Sequence, residues 1–163
     1  MNVLPIAKQV QIINLLVEGN SLRSTSRITG TSITTVTKLL IRVGKACQKF
    51  HDERVLNITA KRVQCDEIWS FVYAKQKNIP EGMEDRAGDV WTWVGIDAET
   101  KLVISYYVGN RTAEDAHVFM HDISDRLANM VQLTTDGNKM YLEAVESSFK
   151  GVIDYAKNMA GIG

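Results

Sequence analysis

The sequence is poor in the residues that staple or interrupt a chain. Of its 163 residues, two are cysteine (Cys47 and Cys65) and two are proline. The cysteines form no CxxC pair, which argues against a disulfide scaffold or a zinc site and fits a reducing, cytoplasmic setting. Long apolar runs are missing too. The N-terminal stretch MNVLPIAKQVQIINLLVEG is interrupted by Lys8, Gln9 and Gln11, so it lacks the apolar core of a signal peptide. No segment reaches transmembrane length, and no membrane partner is expected. Low-complexity tracts and net charge are also lacking: 19 Lys and Arg balance 19 Asp and Glu.

What remains is an ordinary globular composition, 45% apolar and 23% charged, in a length that suits a small domain joined to one of about 100 residues. The zero net charge hides a split. Ten Lys and Arg face three acids (Glu18, Asp52 and Glu53) in residues 1–62, whereas nine face sixteen in residues 63–163. Chance clustering aside, the asymmetry points to a front that binds a polyanion and a back that uses carboxylates.

The first sixty residues read as helical. Ile6, Val10, Ile13 and Val17 recur at spacings of four, three and four, an apolar stripe for a first helix that has Pro5 in its first turn and ends at Gly19-Asn20. Ser21 caps a short second helix, Gly30 breaks it, and Ser32 caps a third that runs toward Phe50. Two helices joined by a tight glycine-containing turn, with another in front, make a helix-turn-helix pattern. In the third helix Ile33, Val36, Leu40, Val43, Cys47 and Phe50 form the expected core face. Lys38, Arg42, Lys45 and Lys49 lie nearly opposite, with no interleaved acid to pair them at i,i+4. A solvated basic face is the commoner meaning of such a pattern, but the recognition position favours DNA. There the start of the helix reaches base edges, which nominates Thr31, Ser32, Thr34, Thr35 and Lys38. The later cations, with Arg23 and Arg27, would lie near phosphates.

After residue 62 the period changes. VQCDEIWSFVYA (63–74), VWTWVGI (90–96), KLVISYYV (101–108), MVQLTT (130–135) and VIDYA (152–156) read as five strands. A polar loop separates the first two, and Asp97–Thr100 turns between the second and third. Thr112 and Asp115 open a helix with core stripe Ala116, Met120, Ile123 and Leu127, and Lys139–Ser147 forms another. Three antiparallel strands, helix, strand, helix, strand predict a mixed sheet with helices packed on it.

Two acids stand out. Asp66 sits inside a strand-like run, where aspartate is depleted and an unpaired buried carboxylate costs several kcal/mol, so a compensating metal ion is expected. Asp136 closes VQLTTDG, although Asp-Gly is also an ordinary turn signal. Phosphoryl transfer on DNA uses such a pair, with two divalent ions activating the attacking hydroxyl and steadying the leaving oxygen.

CDEIWSFV, the WTWVGID hairpin, GNRTAEDA and LTTDG resemble the DDE transposases of the IS-one insertion-sequence type, over most of residues 5–155 and most strongly over 65–72 and 91–137. The resemblance implies an α+β chain. A three-helix helix-turn-helix spans 1–54, followed over 62–163 by a ribonuclease-H-like mixed α/β domain that lacks its final helix. In ribonuclease-H-like folds the first and fourth strands are neighbours, so Asp66 and Asp136 would meet. They match the first two acids of the Asp-Asp-Glu triad, Asp66 bridging the ions and Asp136 holding one, with Mg2+ or Mn2+ as cofactor. The implied activity is nicking and joining of double-stranded DNA at element ends and target, in the nucleoid. A homo-oligomer is a further expectation.

The family's third acid is a glutamate on a helix after the fifth strand. Here Glu143, Glu146 and Asp154 are the only acids after Asp136, and the tail KNMAGIG resembles a frameshifted or prematurely stopped end. The expectation is therefore a chain inactive alone in transposition, with an apolar patch exposed. The zinc segment that precedes the helix-turn-helix in some relatives is missing. A non-enzymatic DNA-binding regulator or repressor of its own element is the alternative, and a ribonuclease-H-like nuclease of another kind a third. Other features suggest no chemistry. His117 and His121 lack an HExxH glutamate, Trp69, Trp91 and Trp93 suit the core or a sheet face, and Cys65 is a small buried residue. Glu67 should point away from Asp66, on the opposite face of its strand.

Overall fold

The computed structural model describes residues 4–136, 138–149 and 153–158. Among these are five α-helices and five strands, in two compact units, Met1–Arg54 and Val55–Gly163.

The first unit holds α1 (Ile6–Val17), α2 (Leu22–Thr29) and α3 (Ile33–Arg54). Pro5 stands at the N-cap, one position before the first turn, in extended conformation. The Ser21 hydroxyl accepts the Ser24 N–H at 3.1 Å to start α2. Gly30 ends that helix at φ +64, a left-handed backbone that a residue with a Cβ adopts only under strain.

The core of this unit corrects the expected stripes. Ile12, Val36 and Leu39 are buried, with Leu4, Ile13, Leu16, Leu22 and Val43 packed against them. Ile6, Val10 and Val17 face solvent, as do Ile33, Leu40, Cys47 and Phe50. The run IINLLV offers α1 more than one helical face, and contact with its neighbours selects the one carrying Ile12 and Leu16. In α3 the selected spacing is 36, 39, 43. Length explains where it stops: α1 and α2 have 12 and 8 residues against 22 in α3. At about 1.5 Å per residue neither can follow α3 to its end, and no residue from Gly44 to Arg54 is buried.

The second unit is built on one mixed sheet of order β3-β2-β1-β4-β5, with β1 Arg62–Val72, β2 Gly88–Asp97, β3 Val103–Gly109, β4 Gln132–Asp136 and β5 Asp154–Asn158. The β1-β2-β3 pairings are antiparallel, and β1-β4 and β4-β5 are parallel. The fifth strand thus starts two residues later than expected, and Val152 lies outside the described residues. The third starts later too, because Lys101 takes φ +65 in the turn. Asp97 organises that turn, accepting the Glu99 and Thr100 N–H groups at 3.2 Å and the Thr100 hydroxyl.

Helices α4 (Ala113–Arg126) and α5 (Met140–Phe149) complete the unit. The Thr112 hydroxyl caps α4 through the Asp115 N–H at 3.2 Å. Ala116, Phe119, Met120 and Ile123 of α4 join Val63, Cys65, Trp93, Leu133 and Tyr141 in one buried cluster. Trp93 anchors it, 5.9 Å from the Phe119 ring and 5.5 Å edge-on to Tyr141. Leu127 is only partly buried at the helix end, and Phe119 is the core residue the stripe omitted. The other sheet face carries Ile68, Tyr106 and Val108, all well exposed.

Candidate functional site

Parallel pairing of β1 with β4 runs Arg62↔Gln132, Val63↔Leu133, Gln64↔Thr134 and then stops. Two residues further along both strands come Asp66 and Asp136. Their carboxylates approach each other and that of Glu67, with one oxygen from each of the three within 4.8 Å of the others. The expected meeting of Asp66 with Asp136 is found. Alternation sends Glu67 to the face of the buried Val63 and Cys65, opposite Asp66, as expected. The β1-β2 pairing continues past both residues, but on the β4 side the ladder has ended, and along that open edge the longer glutamate arm still brings its carboxylate into the cluster.

Burial is also distributed differently from the sequence reading. Asp66 is exposed, so the argument from a costly buried aspartate fails. Its Oδ1 accepts the adjoining Glu67 N–H at 2.8 Å. The sequestered carboxylate is Glu67, whose side chain is 2% exposed. It accepts the Asn138 amide at 3.3 Å and lies 3.4 Å from Nη2 of Arg111. The same nitrogen is 3.7 Å from Asp136 Oδ2, and Asp136 Oδ1 accepts the Asn138 N–H at 3.0 Å. Asn138 in turn accepts the Met140 N–H at 3.1 Å, so the start of α5 holds both acids in place. Gly137, part of the turn signal, lies outside the described residues.

Arg111 was not among the residues singled out in the sequence. It lies within GNRTAEDA, directly before the Thr112 cap, and nothing in its spacing marks it. Its guanidinium carbon stands 4.8 Å from the centre of the Trp91 ring, a cation–π contact that orients the group.

The donor set fits a hard divalent cation: three carboxylates supply oxygen, and Cys65 is kept a neutral thiol, its ionisation pushed up by burial and then by Glu67 and Asp66. The Tyr141 hydroxyl is buried beside Glu67, and its ionisation is pushed far up by burial, then by the Glu67 charge and by its interaction with the Glu67 carboxylate. A cleft of about 810 Å3 opens over the site, with Gln64, Ile68, Val94, Ile96 and Thr134 among its walls and Arg111 at its side.

The other acids considered stay apart. Glu143, Glu146 and Asp154 are exposed, and none belongs to an acidic cluster among the described residues. His117 shares a 3.0 Å hydrogen bond with the Ser147 hydroxyl, and His121 lies 3.1 Å from Asp125, surface roles for both. Trp93 is fully buried, while Trp69 is 40% exposed beneath the Lys75 ammonium.

In the first unit Arg23, Arg27, Ser32, Thr34, Lys38, Arg42, Lys45 and Lys49 are exposed. Thr31 is buried, its N–H bonded to the Ser26 carbonyl, which removes it from the candidate surface. Thr35 is half-buried, its hydroxyl 2.8 Å from that of the cap Ser32. Two cations have local partners: Lys49 lies 3.7 Å from Glu53, and Arg42 donates to Gln9 at 2.6 Å. The first pairing corrects the reading of a face without an i,i+4 acid.

No helix among the described residues is long and apolar enough to cross a membrane. No family model matches the sequence, and no curated protein matches it. Among solved structures, the chain is similar to one in the cryo-EM structure of the simian T-cell lymphotropic virus intasome in complex with PP2A regulatory subunit B56 gamma. The TM-score is 0.47 and the identity 10%, over 92% of this chain and 52% of that one, so the chain spans about half the length of this neighbour. Likeness at that level assigns no activity.

Proposed function

We propose that the chain acts on DNA as a strand-nicking and strand-joining protein of the DDE-transposase kind, its first unit gripping the duplex and its second doing metal-dependent phosphoryl transfer. The observation that carries this reading is the convergence of Asp66, Glu67 and Asp136 at the open ends of β1 and β4. The sheet order, with β1 beside β4, agrees with a ribonuclease-H-like fold.

Asp66 and Asp136 would hold Mg2+ or Mn2+, with Glu67 supplying a third carboxylate. A divalent cation there, when bound, activates a hydroxyl and steadies a leaving oxygen in phosphoryl transfer. The chain's own groups prepare the place. Asn138 fixes Asp136 through its N–H and Glu67 through its amide, and Ile68, Val94 and Ile96 line the cleft beside the acids. In the first unit, a helix-turn-helix of α2 and α3 would bring Ser32, Thr34, Thr35 and Lys38 to base edges and Arg23, Arg27, Arg42, Lys45 and Lys49 to phosphates.

The test is a thermal-stability titration with Mn2+. At a hundredfold excess over the dissociation constant, a bound cation stabilises the fold by about 2.7 kcal/mol. Asp66→Ala and Asp136→Ala should abolish that gain while leaving duplex binding in the absence of divalent cations intact. A DNA-binding regulator, the competing reading, would show no such gain in the parent chain.

A further inference from the structure

Arg111 is the source of every ion pair made with the acidic cluster among the described residues, and it is poorly spent there. One nitrogen, Nη2, serves both Glu67 and Asp136, at 3.4 and 3.7 Å. Well-formed charge-assisted bonds are shorter, about 2.7–2.9 Å. Among the described residues its only hydrogen bond and ion pairs run through Nη2. The group is nevertheless held: its guanidinium carbon lies over the Trp91 ring, 4.8 Å from the centre, and its backbone adjoins the start of α4 at the Thr112 cap. Its side chain is 38% exposed and lines the cleft. An oriented, partly exposed guanidinium with an unused N–H edge suits a tetrahedral oxyanion better than two distant carboxylates.

We propose that Arg111 is the phosphodiester receptor of this cleft. A divalent cation on Asp66, Glu67 and Asp136 satisfies the charge that now holds Nη2. Arg111 then releases the carboxylates, keeps its place over Trp91 and turns its N–H edge to a backbone phosphate of DNA lying in the cleft. Cation and nucleic acid thereby favour each other's binding, a coupling that must be equal in both directions. The inference rests on the proposed metal site and adds to it the residue that reads the substrate's charge.

The experiment measures binding of the full chain to a duplex oligonucleotide, with and without Ca2+, which occupies oxygen sites without supporting turnover. Mn2+ affinity is measured separately by electron paramagnetic resonance. In the parent chain Ca2+ should tighten DNA binding about tenfold, a 1.4 kcal/mol coupling. Arg111→Gln should erase that gain and reduce the Ca2+-state salt slope by about 0.9, one phosphate contact, while binding Mn2+ at least as tightly as the parent. Arg111→Lys, which keeps the charge without the fork, should restore part of the gain. The proposal is overturned if Arg111→Gln keeps the full Ca2+-dependent gain, or if it loses Mn2+ binding and thereby marks Arg111 as a prop for the acids. A parent chain that binds no Mn2+ overturns the metal site as well, a result distinct from either.

Discussion

Gly95 of β2 lies so close to Ile123 of α4 that a Cβ on the glycine would stand 2.7 Å from the isoleucine Cδ1 and 3.3 Å from its Cγ1. Ile123 is fully buried, so the strand and helix touch through the missing side chain. Gly95→Ala should cost about 1–3 kcal/mol as an overpacked core, seen as a lower urea midpoint with an unchanged slope. Adding Ile123→Val should return part of the loss. An unaltered midpoint for Gly95→Ala would mean that the contact yields freely.

Leu39 and Leu40 are neighbours in α3 with opposite fates, 4% and 40% exposed. Leu39→Ala should destabilise the first unit by about 2–5 kcal/mol, the usual cost of a cavity at a buried leucine. Leu40→Ala should stay within about 0.5 kcal/mol. Chemical denaturation followed by circular dichroism distinguishes them, and equal losses would restore the face expected from the sequence.

Duplex binding by the first unit should weaken with salt. With about four phosphates neutralised, the log of affinity should fall against the log of salt at a slope of roughly −3.6. Arg27→Ala and Lys45→Ala should each reduce the slope by about one, whereas Lys49, already beside Glu53, should matter less. A salt-independent affinity in a fluorescence titration would end the electrostatic account.

The Asp97 carboxyl is held below its ordinary range, first by the Thr100 hydroxyl and then by the Glu99 N–H. A depressed native value contributes stability that is complete above the unfolded value, about 3.9, and fades as pH falls through the native one. Asp97→Ala should therefore destabilise the second unit at neutral pH and converge with the parent in strong acid. Urea midpoints across the acid range measure this, and a gap constant with pH would show that the charge is not involved.

Much of the architecture was legible before any coordinates. The caps Ser21 and Thr112, the break at Gly30 and the Asp97–Thr100 turn act within a few residues, so local chemistry specifies them. The order of elements along the chain was recoverable for the same reason, since the Asp97–Thr100 turn joins β2 and β3 directly and a helix carries the chain from β3 to β4, whereas the pairing of β1 with β4 was expected only from the family resemblance. The site was half legible. Asp66 and Asp136 could be nominated from their positions, but Arg111 could not, because its partners Glu67, Trp91 and Asp136 come from three different strands.

By itself the sequence determined which segments are helix and strand, where the charge divides, and that one acid lies in β1 and another closes β4. Their meeting across adjacent strands is a matter of tertiary pairing. Only the tertiary structure decided which apolar stripe of α1 and α3 is buried, since several stripes satisfy a helical period and contact alone chooses among them. It also decided that Glu67 joins Asp66. Alternation still places the two side chains on opposite faces, with β2 paired alongside both, but the β4 pairing ends at Gln64 and Thr134, and along that open edge the longer glutamate reaches the aspartates.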